Sequence, residues 1–180
     1  MKKLVILVSI LSIYTASIAQ TFIAKNASIR FFSTTPVENI DATTKTAVAL
    51  LNTSTGMLTF KASNKSFIFP DKLMQEHFNE NYMESDKYPN AEFTGTIENM
   101  PNLSKDGVYN VNVKGKFTVH GVSKDRTIPA TLTVKGGKIT GYSKFMVKCV
   151  DHDIEIPKIV LAKIAESIEV TVNCEFLPKE

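Results

Sequence analysis

From Phe93 onward the apolar residues of this chain fall at every second position. Tyr109, Val111, Val113, Phe117 and Val119 alternate with Asn110, Asn112, Lys114, Lys116 and Thr118. Ile128, Ala130, Leu132 and Val134 alternate with Pro129, Thr131, Thr133 and Lys135. Ile168, Val170, Val172, Cys174 and Phe176 do the same, as do Phe93, Gly95 and Ile97, and Ile139 to Cys149 repeats the pattern more weakly. Side chains of a strand point alternately to its two faces, so this period describes one buried and one wet face, as in antiparallel strands. His120-Gly121 and Gly136-Gly137 separate such runs and predict tight hairpins, and Asp106-Gly107 precedes a long strand at 108–119. Further strands are expected at 21–25, 28–33, 45–51, 56–62 and 66–69, giving nine or ten candidates, some of them parts of one bent strand.

Two segments break the alternation. Asp71 to Tyr82 places Leu73, Met74, His77, Phe78 and Met83 on one stripe of a short helix, with Asp71 as N-cap. Pro157 to Ala165 predicts a second helical piece, with Ile159, Val160 and Ile164 facing inward. No repeat and no linker divides the chain, so one domain is expected over 20–180. So many hairpin-joined strands must hide their edges, and closing into a barrel removes them. A barrel of about eight strands is just wide enough to fill with side chains or to hold one small ligand.

Met1-Lys2-Lys3, the apolar run Leu4 to Tyr14 and the small residues of Ser17-Ile18-Ala19 have the three-part order of a secretory signal. The apolar run is shorter than the ~20 residues of a membrane span. Residues 1–19 are therefore expected to be removed, leaving a secreted or periplasmic protein with no transmembrane segment. Loss of Lys2 and Lys3 reduces the formal charge from +3 to +1, too weak a field to hold a nucleic acid.

Candidate chemistry is sparse. No nucleophile elbow, phosphate loop or zinc-protease motif is present, so no enzyme, no cofactor and no metal is expected. His77 lies on the helical stripe, where it could cap a cavity or bond a head group, with Glu76 or Glu80 as the nearest carboxylates. His120 stands at a hairpin end, where a turn-stabilising hydrogen bond is expected. Asp151-His152-Asp153 on a strand would put its carboxylates on one face and its imidazole on the other, poor geometry for one ion. Cys149 and Cys174, on inward faces of late strands, would lie too far apart for a disulfide, which favours free buried thiols, while export to an oxidising compartment favours a bridge.

Three motifs carry a family resemblance. Leu73-Met74-Gln75-Glu76-His77-Phe78 is followed by Met83-Glu84-Ser85-Asp86-Lys87-Tyr88-Pro89-Asn90-Ala91-Glu92-Phe93. Gly115-Lys116-Phe117-Thr118-Val119-His120-Gly121-Val122-Ser123-Lys124 forms the second, and Phe145 through Asp153-Ile154 with Pro157 a weaker third. In order and spacing the chain resembles the YceI-like family of lipocalin-like secreted proteins that bind lipids or polyisoprenoids. Its first strands lack the His and the Gly-x-Phe of the wider family.

That resemblance implies an all-β fold, an extended eight-stranded antiparallel lipocalin-like barrel with one or two short helices. It also implies an apolar tunnel holding an isoprenoid-like lipid, such as a quinone or a polyprenyl phosphate. Combined with the inward phases, it points to Phe31, Phe60, Phe78, Phe93, Ile97, Val111, Val113, Phe117, Leu132, Phe145, Val147, Val170 and Val172 as tunnel lining. Gly95, Gly115, Gly141 and Ala130 would leave room between the large side chains. Alternation alone fits a solid barrel equally well. A packed envelope interaction module and a lipid-modifying enzyme therefore stand beside a lipid carrier. The export reading predicts that intact mass or N-terminal sequencing of exported protein finds a chain beginning at Gln20; one beginning at Met1 contradicts it.

Overall fold

The structure, a computed structural model, describes residues 21–160 and 162–179; the expected export signal lies outside them. Eight strands follow one another around a closed antiparallel barrel: β1 (Thr21–Thr34), β2 (Asn39–Asn52), β3 (Met57–Ser63), β4 (Asn90–Ile97), β5 (Gly107–Val119), β6 (Val122–Lys135), β7 (Lys138–Lys148) and β8 (Ser167–Pro178). Each strand bonds its neighbours in sequence, and β8 closes onto β1. No described helix is long and apolar enough to cross a membrane.

The hairpins fall where the small residues predict. His120 and Gly121, with φ of 51° and 74°, join β5 to β6, and Gly136 and Gly137, with φ of 56° and 79°, join β6 to β7. Two consecutive left-handed residues give the primed turn whose twist matches that of paired strands. The stretches expected as separate strands at 21–25 and 28–33 are one strand, bent where its register with β2 shifts between Ala24 and Ala27. The strand expected at 45–51 begins earlier, at Asn39.

Residues 66–69 are a correction: they form no strand. Asn64–Ser66 is a 3-10 turn, and the segment shares one isolated β-bridge with the sheet, Thr43 with Ile68. Asp71 caps helix α1 (Lys72–His77) as expected, accepting the N–H groups of Leu73 at 2.7 Å and Met74 at 3.0 Å. A wider π turn, Phe78–Tyr82, continues it. The second helix is also corrected. Only Lys158–Val160 makes a 3-10 turn, and the Ala165 N–H leaves the local ladder to bond Ser33 Oγ at 2.9 Å.

Two inward glycines serve strand contact where open space was expected. Gly95 of β4 and Gly115 of β5 lie opposite one another. A Cβ on Gly115 would stand 2.3 Å from the Thr94 carbonyl oxygen and 2.4 Å from the Gly95 Cα. The Phe93 ring folds over Gly95, so a Cβ there would meet it at 2.8 Å. Backbone atoms cannot yield as a flexible side chain can. Gly115→Ala is therefore expected to lower stability by about 1–3 kcal/mol, read as a lower midpoint in denaturant with an unchanged slope.

Candidate functional site

The barrel is solid at one end and hollow at the other. Phe22, Leu51, Ile97, Val134 and Ile139 are buried near the end that carries the 52–57, 97–107 and 135–138 turns, and they pack it shut. Above a floor that includes Leu132, Gly141, Cys174 and Phe176 opens a cavity of about 550 Å³. Its walls are overwhelmingly apolar. Its volume lies inside the ~300–1,000 Å³ range of small-ligand pockets.

Most of the expected lining residues meet in this space. Phe31, Phe60, Phe78, Phe93, Val113, Phe117, Leu132, Phe145, Val147, Val170 and Val172 face it. Ile97 and Val111 do not: Ile97 is buried in the packed end and Val111 is half-buried against the core. The floor crosses tilted strands at different heights, so strand phase alone cannot tell wall from plug. Gly141 and Ala130 do border the cavity, unlike Gly95 and Gly115.

The far end is covered by two connections. On one side four rings gather, with Phe78 5.2 Å from Phe31, 5.9 Å from Phe67 and 5.0 Å from Phe69, centre to centre. They bind the π turn and the 67–69 segment to β1, and all four face the cavity. On the other side Ile154, Ile156, Val160 and Ile164 close over it; the Ile159 side chain expected with them lies outside the described residues. Val160 and Ile164 face inward as expected, whereas Phe67, Phe69, Ile154 and Ile156 were not expected as lining. The spacing of Phe67 with Phe69 and of Ile154 with Ile156 carried that signal, but their segments are not strands.

The charged groups of the cavity sit at its rim, whereas Ser33 and Asn64 are buried in its lining. Asp71, Leu73 and His77 are exposed there, and Lys163 lies 3.8 Å from Glu38. His77 thus occupies the rim position expected of a cap. Glu76 and Glu80 are exposed on the same connection.

The other two histidines hold the wall. The His120 ring lies between the His152 carbonyl oxygen, 3.1 Å from Nδ1, and a Glu84 carboxylate oxygen, 2.8 Å from Nε2. Its role is wider than a turn bond, because it ties the β5–β6 hairpin to two distant connections. Asp151-His152-Asp153 is not on a strand, a correction to the expected alternation. Cys149–His152 is a 3-10 turn ending in a left-handed Asp153. His152 is fully buried; its Nδ1–H donates to the Val122 carbonyl at 3.0 Å, and its Nε2 has no partner among the described residues.

Both cysteines are free, buried and lining. Cys174 pairs with Gly141, eight residues along β7 from Cys149, about 26 Å at strand rise, far beyond disulfide reach. Burial pushes the Cys149 thiol up to about 11 and that of Cys174 up to about 12. Both are protonated at neutral pH and poor nucleophiles.

Burial also lowers the His152 pKa from its usual 6.5, with Arg126 adding to the effect, against the Val122 bond and Asp151. The unfolded chain therefore takes up this proton more readily than the folded one. The stability that neutral His152 provides is complete above pH 6.5 and falls as pH drops below it toward the folded pKa. A series of denaturant melts between pH 7.5 and 5 should show this loss, and His152→Phe should flatten that part of the curve.

The YceI-like domain model matches residues 14–176. No curated protein gives a match. Among solved structures, a polyisoprenoid binding domain from Saccharophagus degradans implicated in plant cell wall breakdown is similar at 13% identity, covering 89% of this chain and 99% of its own, with a TM-score of 0.75. BcnA of Burkholderia cenocepacia is similar at 16% identity, over 83% of this chain and 95% of its own, with a TM-score of 0.69. A YceI protein of Campylobacter jejuni is 20% identical over 75% of this chain and 81% of its own, with a TM-score of 0.58. At these identities the likeness establishes a shared fold.

Proposed function

The chain belongs to the YceI-like domain family, and on that premise we propose that it is an exported, non-catalytic protein that carries or sequesters an isoprenoid-like lipid in its barrel. A quinone or a polyprenyl phosphate has the required form, an apolar chain with a polar end. The observation that carries the proposal is the blind apolar cavity of about 550 Å³, with its charged groups confined to the rim. The solved Saccharophagus degradans domain of the same fold, described as polyisoprenoid binding, supports the choice of ligand class.

Magnitudes favour recognition of the tail. Each buried CH₂ contributes roughly 0.8 kcal/mol, so a five-carbon unit contributes roughly 3–4 kcal/mol gross. An exposed ion pair at the rim contributes only about 0–1 kcal/mol. Part of the tail energy offsets the ordering of a flexible chain. The affinity is therefore set by how much chain the cavity buries, and the head group adds a modest preference.

Titration with isoprenoids of stepped length tests this directly. The dissociation constant should fall at least about ten-fold per added five-carbon unit until the cavity is full, then level off. Equal affinity for a short water-soluble head-group analogue would sink the proposal.

A further inference from the structure

A proline stands inside the barrel wall where an inner strand should not carry one. Pro129 lies within β6, which is flanked by β5 on one side and β7 on the other. Proline lacks the N–H a ladder needs and is otherwise confined to edges and bulges. Its carbonyl accepts the Ser143 hydroxyl at 2.7 Å, so it faces β7. A strand residue directs its N–H and C=O toward the same neighbour, so the missing donor is the one β7 would have used.

The β6–β7 ladder ends at that point. It runs from Lys135 with Lys138 up to Ala130 with Ser143 and no further. Both strands continue: β6 stays paired with β5 as far as Val122, and β7 with β8 as far as Lys148. Residues 122–129 of β6 thus border a gap in the wall, about 26 Å long at strand rise.

The Cys149–His152 turn packs against upper β6, and below it side chains close the gap. Arg126 Nη2 donates to the Met146 carbonyl across it at 2.6 Å, with the guanidinium 5.7 Å from the Phe145 ring centre. At its upper limit His152 holds the Val122 carbonyl. The Phe117 ring fills between, edge-on to Phe145 at 5.9 Å and to His152 at 5.4 Å.

A second gap exists and is built differently. The upper part of β2 has no partner on β3, since their ladder covers only Val48 to Leu51. There the 64–69 segment is laid across the opening. Thr43 and Ile68 exchange two backbone bonds, of 3.1 and 3.0 Å, and Thr44 bonds Ser66 at 2.8 Å. Paired backbone seals one seam, whereas below the 149–152 turn rotatable side chains seal the other.

The unsealed seam borders the cavity. Ile128 and Ala130 face the cavity from the β6 side, and Phe145 and Val147 from the β7 side. Outside, two apolar side chains stand exposed on the β7 side, Met146 at 49% and Val150 at 75%. An apolar chain leaving here meets Met146 and Val150 on an outer face that also carries the exposed side chains of Lys144, Lys148 and Asp125.

We propose that the β6–β7 seam, between the Pro129 fork and the His152–Val122 bond, is a lateral portal through which the apolar chain of the ligand enters and leaves the cavity. The proposal rests on the lipid-binding reading above. Arg126 and Phe145 are the movable bars of the portal, and Pro129 keeps the ladder from closing it. Rotation of such side chains is fast, whereas a paired backbone must unzip.

Stopped-flow loading and release of a farnesyl analogue carrying a fluorescent reporter provides the test. Thr127 and Met146 are exposed on opposite sides of the seam. Thr127→Cys/Met146→Cys, bridged by a short bis-maleimide, should slow loading and release together. The same bridge across the sealed seam, in Thr43→Cys/Ile68→Cys, should leave both rates unchanged. Arg126→Ala should speed both on the order of ten-fold, the equivalent of one hydrogen bond, with little change in the dissociation constant. Pro129→Thr, which restores the N–H toward β7, should slow both. Unchanged rates in the bridged β6–β7 protein would overturn the portal and leave the cavity as the binding site. An unmodified protein that takes up no probe would overturn the lipid-binding reading and the portal with it.

Discussion

Closure of β8 onto β1 is the constraint on which the rest of this structure depends. An open sheet must pack a second layer against its apolar face to be stable. A closed barrel supplies its own opposing wall and leaves no strand edge to cover. The backbone ladders then hold the wall in place even where nothing fills the middle. With eight strands the bore is just large enough for this to matter. At one end Phe22, Leu51, Ile97, Val134 and Ile139 meet across the centre, and at the other the same kind of wall encloses space.

The hollow end carries an exposed apolar lining that water would wet poorly. The four-ring cluster of Phe31, Phe67, Phe69 and Phe78 and the isoleucines of the 154–164 connection reduce that exposure from two sides. Around the same end the wall separates into two halves, β7-β8-β1-β2 and β3-β4-β5-β6, because the β2–β3 and β6–β7 ladders both stop short. The lower, packed end holds the halves together. Stability and access are thus assigned to different lengths of the same strands.

Polar side chains at the hollow end act mainly on the wall. His120 and Glu84 join the β5–β6 hairpin to the connection after the helix, and Tyr88 packs edge-on against His120 at 4.7 Å between ring centres. Gly121 is required beside them, since a Cβ there would meet the Tyr88 ring at 2.4 Å. His152 carries the link onward from its own carbonyl to the Val122 carbonyl. A buried neutral imidazole is a compact way to join two carbonyl-rich turns, and it makes their union sensitive to acid.

Local pattern was enough for much of this architecture. The period-two alternation from Phe93 onward, the His120-Gly121 and Gly136-Gly137 turns and the Asp71 cap depend only on neighbours in the chain, and each is where the residues place it. Most of the cavity wall followed from the same alternation, because a strand's phase decides which side chains face inward. Phase says nothing of depth along the barrel, so Ile97 and Val111 could not be told from true lining. Nor does it report what crosses from other strands: Gly95 and Gly115 look like spare room until their backbones are brought within contact. The hollow itself, the rings that cover it and the unsealed β6–β7 seam belong to the tertiary structure alone. They are set by how far opposing walls stand apart and where ladders between distant residues end, and no single segment carries either distance.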